Sequence, residues 1–239
     1  MAACRVEVVA STVEDVLAAA AGGADRVEFC THLASGGLTP GRSLIEQAMA
    51  VAKENGLGFR VLIRPREGDF VYTSIERQSI VAEAEAVLSL GADEAVCGGL
   101  LTNGAIDEVL LTELDKAVGL DKVVFHRAFD EAVHHDEARR QLKAAGVQAV
   151  LTSGGAPRAV EGLAAIQDTV QSGLEVVAGA GVQSNQVADF VRAGVEAVHA
   201  SCRVTCGHLE GRLFDAARTR VDETQVRALV EAVRDVARP

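Results

Sequence analysis

The sequence predicts a single TIM (β/α)8 barrel, on three observations. Short apolar runs alternate with longer period-3.6 segments from end to end. Eight such strand–helix units fit within 239 residues, and an eightfold barrel typically needs roughly 250. A glycine-led unit recurs at every second strand, as expected of a barrel with alternating layers. No Pro-rich, Ser-rich or like-charge linker divides the chain, so 1–239 reads as one domain.

In order, the strand-like runs are Arg5–Ala10, Arg26–Cys30, Phe59–Arg64, Glu94–Cys97, Lys122–His126, Ala149–Thr152, Glu175–Ala178 and Ala197–Ala200. Helical patterning fills the intervals, as in Val13–Ala21, Ile75–Leu90 and Asn185–Ala193, and a last helix is expected over residues 223–236. Strands alternating with helices call for a parallel sheet. The repeat reads Gly23-Ala24-Asp25-Arg26-Val27-Glu28, Gly91-Ala92-Asp93-Glu94-Ala95-Val96, Gly146-Val147-Gln148-Ala149-Val150-Leu151 and Gly194-Val195-Glu196-Ala197-Val198-His199. Each leading Gly suits the left-handed residue that ends a helix. After the second strand, Ser35-Gly36-Gly37-Leu38-Thr39-Pro40 reads as a tight loop, with Thr39 capping the next helix and Pro40 at its first position.

Side chains alternate along a strand. One parity gives Val27, Phe29, Ala95, Cys97, Val150, Val198 and Ala200, which suits packing on helices. The other gives Arg26, Glu28, Cys30, Glu94, Gly98, Ser153, His199 and Ser201, which must then point into the barrel. Those nearest the strand C-termini lie where barrel active sites sit.

Composition excludes several roles. Hydrophobic residues are 49% and charged residues 24%, an ordinary globular profile. A net charge of -11 opposes binding to nucleic acid or to an anionic membrane surface. No apolar run is long enough to span a bilayer, and the start lacks the pattern of a signal peptide. Five cysteines, an odd and sparse set, suit reduced thiols and a cytoplasmic location. There is no Walker loop, and Gly179-Ala180-Gly181 lacks the strand–GxGxxG–helix context, so no nucleotide cofactor is expected.

The candidate site gathers at the mouth. Strands eight, one and two are neighbours in a closed barrel, so His199, Glu7 and Glu28 should cluster, with Arg64 and His126 across from them. Further polar groups follow strand three (Arg66, Asp69) and strand five (Arg127, Asp130). Two readings stand. In a polar plug, Glu7 and Glu28 only satisfy Arg26, Arg64 or Arg127. In a working site, the carboxylates act as acid and base or as metal ligands, and the arginines hold an anion. For an enzyme, Glu7, Glu28, His126 and Asp130 are the catalytic candidates. Gly179 and Gly181 resemble a barrel phosphate loop, which Arg203 could complete. Cys30 is the thiol nearest the mouth. His199, Cys202, Cys206 and His208 form a compact group of soft and borderline ligands that matches no standard zinc module.

Several motifs appear together in order: Glu7-Val8, Arg26-Val27-Glu28-Phe29-Cys30, Gly36-Gly37-Leu38-Thr39-Pro40, Ile63-Arg64-Pro65-Arg66, Gly68-Asp69-Phe70 with Tyr72, Phe125-His126-Arg127-Ala128-Phe129-Asp130, Leu151-Thr152-Ser153-Gly154 and His199-Ala200-Ser201. In these the chain resembles the CutC family, described as copper homeostasis proteins, over about residues 5–203. The resemblance implies a TIM barrel, a cytoplasmic homo-oligomer and a role in copper binding and handling. Copper would then be held by Cys30, His199, Cys202 and Cys206. Many family members carry a cysteine where this chain has Val9, which leaves Cys30 without that partner. The alternative is an enzyme acting on a small anionic metabolite, phosphorylated ones included. Its ligand-binding residues would be Arg64, Arg66, Asp69, Arg127, Thr152, Ser153, Gly179, Gly181, His199 and Ser201.

Overall fold

The computed structural model describes residues 4–207 and 218–237. Eight parallel strands close into a barrel in chain order: β1 (Arg5–Ala10), β2 (Arg26–Phe29), β3 (Gly58–Leu62), β4 (Glu94–Cys97), β5 (Val123–Phe125), β6 (Ala149–Thr152), β7 (Glu175–Ala178) and β8 (Ala197–Ala200). Helices α1 (Val13–Gly22), α2 (Arg42–Glu54), α3 (Ser74–Leu90), α4 (Glu108–Val118), α5 (His135–Ala145), α6 (Leu163–Gln171) and α7 (Val187–Ala193) follow the first seven strands, and α8 (Glu223–Ala237) follows the eighth. The TIM barrel expected from the sequence is the fold. One element was not expected. Between β8 and α8, β9 (Arg203–Thr205) and β10 (Thr219–Val221) form a small antiparallel ladder. Strands of three residues are too short to display an alternation.

Local chemistry explains the helix boundaries. Thr12 caps α1 by accepting from the Asp15 amide, and Thr73 and Glu76 form a reciprocal capping box at α3. The four repeat glycines, Gly23, Gly91, Gly146 and Gly194, all end helices in the left-handed region, with φ of 85°, 107°, 103° and 84°. The expected cap at Thr39 is not found. Helix α2 begins at Arg42 behind Gly41, and no side chain caps it. The Thr39 hydroxyl instead accepts from the Arg64 amide at 2.8 Å and sits 3.2 Å from the Arg64 carbonyl. It ties the loop after β2 to the end of β3.

The expected parity holds. Val27, Phe29, Ala95, Cys97, Val150 and Val198 are buried between barrel and helices. A second apolar cluster fills part of the interior, with Val96, Val124, Leu151 and Val177 among its members. The remaining interior is polar. Glu7 pairs in register with both Arg26 and His199, and Arg60 with both Glu28 and Glu94. The charged interior residues Glu7, Arg26, Glu28, Arg60 and His199 come from β8, β1, β2 and β3, with Glu94 of β4 beside them.

Candidate active site in the barrel mouth

Adjacent strands β8, β1 and β2 bring His199, Glu7 and Glu28 together, with one potential ligand atom of each within 4.8 Å of the others. Glu7 is 1% exposed. Its Oε1 lies 2.7 Å from His199 Nδ1, and its Oε2 accepts from Arg26 Nε and, at 3.0 Å, from Arg60 Nη1. The arginines are anchored in turn, Arg60 to Glu94 at 2.8 Å and Arg26 to Glu196 at 3.5 Å. Burial alone would raise the Glu7 pKa, but Arg26, His199 and Arg60 hold it well below the usual carboxylate range. An ionised carboxylate only accepts, so His199 donates through Nδ1 and its Nε2 is left for other partners.

Glu28 behaves differently. It is buried, and its Oε2 has no hydrogen-bond partner. Burial raises its pKa, and the charge of Glu7 adds to this against the pull of His199. Burial would lower His199, but the charge of Glu28 and the hydrogen bond and charge of Glu7 raise it overall. The charges of Glu28 and His199 therefore act on each other, each favouring the ionised form of the other. Glu7 has the partners of a plug, Arg26 and Arg60 rather than Arg64 or Arg127, whereas one oxygen of Glu28 has no hydrogen-bond partner.

Across the mouth, His126 is 3% exposed and its Nδ1 accepts from the Ala128 amide at 3.3 Å. Burial and then the Arg64 charge lower its pKa to about 3, so the ring is neutral and carries its proton on Nε2. That nitrogen has no partner. Arg64 is also buried. It donates to the carbonyls of Ser35 at 2.8 Å, Gly37 at 3.2 Å and Gly68 at 2.7 Å, while its Nε is unpartnered. These partners are uncharged, so the cation is not neutralised within its own hydrogen-bond shell. The Phe70 ring lies 4.9 Å from the Arg64 guanidinium and 4.9 Å from the His126 ring.

These groups enclose a cavity of about 560 Å³, lined also by Cys30, Leu62, Arg127, Gly181 and Ser201. A groove of about 610 Å³ runs between α3 and α4, but it is lined by Glu85, Leu88, Ala117 and Lys122 and gathers no histidine, cysteine or arginine.

The other expected site residues have structural partners. Asp130 borders the cavity but accepts from Thr152 Oγ1, from the Ser153 amide and hydroxyl at 3.0 Å each, from the Gly155 amide at 3.1 Å and from Arg127 Nε at 2.8 Å. Asp130, Thr152 and Ser153 thus lock the loop after β5 to the loop after β6. Arg127 sits half-exposed at the rim and also donates to Ser153 Oγ. Arg66 is not among the lining residues. It lies over Tyr72 and bonds to Glu76, to Asp69 and to the Val71 carbonyl, while Asp69 is exposed. Gly179 packs where a Cβ would strike Leu151, and Gly181 lines the rim. Arg203 turns to Asp15 at 3.0 Å instead of completing an anion site.

The cysteines do not converge. Among the described residues, Glu7, Glu28 and His199 form the one group of three or more that could hold a metal. Cys30 lines the mouth, but burial and the Glu28 charge push its thiol pKa up. Cys202 belongs to the apolar core outside the barrel, where burial raises its pKa to about 11. Cys206 lies beyond β9, and His208 is outside the described residues. The expected Cys30–His199–Cys202–Cys206 ligand set is therefore not assembled. Arg60 escaped the sequence reading, and Phe70, part of the Gly68-Asp69-Phe70 motif, was not among the site candidates. Arg60 lies four residues before Arg64 in the same strand run, so the parity that found Arg64 also points to it.

The CutC family model matches residues 4–204. A CutC family protein of Bacteroides thetaiotaomicron is 39% identical over 83% of this chain and 81% of its own length. One from Chromobacterium violaceum is 35% identical over 95% and 97%. A Streptococcus agalactiae CutC, for which copper homeostasis is a proposed role, superposes with a TM-score of 0.77 at 29% identity, covering 83% of this chain and 98% of that one. A Pyrococcus furiosus thiamine phosphate pyrophosphorylase, at TM-score 0.62 and 16% identity, shares the barrel fold alone. With its sequence motifs, its barrel and these relatives in agreement, the chain belongs to the CutC family.

Proposed function

We propose that the barrel mouth is an acid–base active site for a small anionic metabolite. The observation that carries this reading is the Glu28 carboxylate, buried with one oxygen unpartnered beside a histidine that Glu7 holds in place. The buried oxygens of a structural plug are mostly hydrogen-bonded, whereas Glu28 leaves one unpaired beside a cavity. Glu28 and His199 exchange the proton, Glu7 positions His199, and Arg64 with Arg127 supplies positive charge at the cavity wall. The unpaired cysteines and acidic composition go with a cytoplasmic protein. The test is a thermal-shift screen of small phosphates and carboxylates, repeated on Glu28→Gln. Stabilisation by an anion that depends on Glu28 supports the reading. If no anion stabilises the protein, or if Glu28→Gln responds as the wild type does, the reading fails.

Copper handling is the second reading. It is favoured by the family membership and by Cys30 and His199 lining one cavity. The clustered donors, two carboxylates and an imidazole, do not suit Cu(I), which prefers thiolate and thioether ligands. Titration of the reduced protein with Cu(I) against a competing chelator decides it. Stoichiometric binding lost in a Cys30→Ala, Cys202→Ala, Cys206→Ala variant establishes a copper role. Weak or cysteine-independent binding removes it.

A further inference from the structure

The loops after β7 and β8 hold hydrogen-bond donors that the fold does not use. The Ala180 carbonyl accepts from the Ala159 amide, in the loop after β6, at 2.9 Å. A trans peptide points its carbonyl and its N–H in opposite directions, so the Gly181 N–H turns away from β6, toward β8. Two successive residues of this loop have left-handed backbone, Ala180 at φ 90° and Gly181 at 66°. Among the described residues, the amides of Ala180, Gly181, Val182 and Ser201 find no hydrogen-bond partner, and all four residues line the mouth cavity. Arg158 flanks them, with its Nε 3.5 Å from where a Cβ on Gly181 would stand. It is exposed and makes no ion pair with a described residue. From across the cavity, Arg64 adds a buried charge whose hydrogen-bond partners are all carbonyls. Asp130, a carboxylate of the cavity wall, is already engaged by Arg127, Thr152, Ser153 and Gly155.

We propose that these two loops form a phosphate-binding subsite and that the mouth takes a small phosphate monoester. This names the substrate class for the acid–base reading above, and rests on that reading for the chemistry that follows binding. Free backbone N–H groups beside a cation suit an anion. Here they are spread over two neighbouring loops, with the Ser201 hydroxyl between them and the cavity. That spread matches the three acceptor oxygens of a phosphate better than the two of a planar carboxylate. The cation is Arg158 and not Arg203, because Asp15 holds Arg203 while the loop after β6 lays Arg158 against Gly181. The subsite also adjoins the acid–base groups. Ser201 follows His199 by two residues, and a Cβ on Gly179 would stand 3.2 Å from the His199 ring. A phosphate held by Gly181, Val182 and Ser201 therefore directs the carbon skeleton of its ester over His199 and Glu28.

The experiment titrates 15N-labelled protein with inorganic phosphate, and separately with acetate, at constant ionic strength so that screening does not change. Phosphate is expected to shift the amide signals of Gly181, Val182 and Ser201 saturably, and acetate to shift them far less. Amides beside Arg139, Arg140 and Lys143, a basic surface away from the mouth, should stay in place. Arg158→Gln loses no internal ion pair, so it should fold as the wild type does, and it should weaken phosphate binding about two- to fivefold, the scale of an exposed ion pair. Arg158→Lys should keep more of the affinity. The subsite is overturned if phosphate shifts none of the three loop amides, if acetate shifts them equally, or if Arg158→Gln binds phosphate as tightly as the wild type. The acid–base reading fails on a different observation, an anion response indifferent to Glu28→Gln. Loop amides that ignore phosphate while a carboxylate stabilises the protein through Glu28 remove the subsite and leave that reading. Loop shifts with every anion indifferent to Glu28 leave a phosphate site and remove the acid–base chemistry.

Discussion

His199 Nδ1 lies 2.7 Å from Glu7 Oε1, and the other oxygen of the same carboxylate receives two buried arginines. Glu7 is therefore both the orienting partner of a mouth histidine and the counter-ion of a charged layer deeper in the barrel. Any change at Glu7 acts on both.

Replacing Glu7 leaves Arg26 and Arg60 facing each other with only Glu196 and Glu94 to balance them. Removing one partner of a buried ion network typically costs about 3–5 kcal/mol. Glu7→Gln is expected to lose stability on that scale in urea unfolding, and the His199 pKa should fall as its charged partner disappears. A variant with wild-type stability would show that the arginines do not need this carboxylate.

The pH dependence of stability follows from His126. Its folded pKa is about 3, against an ordinary value of 6.5. Below pH 6.5 the unfolded chain takes up a proton that the folded ring refuses, so acid favours unfolding. The contribution of this residue is full above 6.5 and lost progressively toward 3, at up to about 1.4 kcal/mol per pH unit. Urea unfolding of wild type and His126→Gln at several pH values isolates it, because other groups cancel in the difference. The wild type should lose ground to the variant as pH falls. Parallel curves would mean that the ring is protonated in the fold.

Asp130 gathers Thr152, Ser153, Gly155 and Arg127 around a carboxylate that is 6% exposed. Asp130→Ala leaves several of these donors unmet, at about 1–3 kcal/mol for each one that water cannot reach. The Ser153 and Gly155 amides should exchange with solvent much faster, while amides in β1 and β2 stay protected. Unchanged exchange at Ser153 would show that the loop is held by other contacts.

Gly162 and Gly154 approach backbone to backbone. A Cβ at Gly162 would run into the Ser153 carbonyl, and one at Gly154 into the Gly162 carbonyl. Neither neighbour is a side-chain tip that can swing aside. Gly162→Ala is expected to cost about 1–3 kcal/mol, as for overpacked cores. Gly56→Ala meets no steric obstacle, so it tests the penalty of a positive φ alone. If Gly162→Ala is no worse than Gly56→Ala, the close approach is not a constraint.

Much of this was legible in the chain. Five of the eight barrel strands have the bounds read from the apolar runs, β1, β4, β6, β7 and β8. The repeat glycines end their helices as expected, because a left-handed backbone selects glycine at the level of a single residue. Strand neighbourhood alone brought Glu7, Glu28 and His199 together, because the order of a closed barrel follows from the order of its strands. The loops resisted such reading. Asp130, Arg66 and Arg203 are polar residues beside the mouth in sequence, yet each is turned to a partner set by loop geometry.

By itself, the sequence determined the barrel, its inward and outward faces and its family. Periodicity and parity are local, and they carry directly into a regular sheet. Only the tertiary structure decided how charge is divided among the inward residues. It gave Glu7 two arginines and Glu28 none within hydrogen-bonding reach of its free oxygen, and it placed Cys202 outside the barrel. Burial and partner count, which set whether a carboxylate is inert or reactive, depend on groups distant in the chain, and no spacing along it records them.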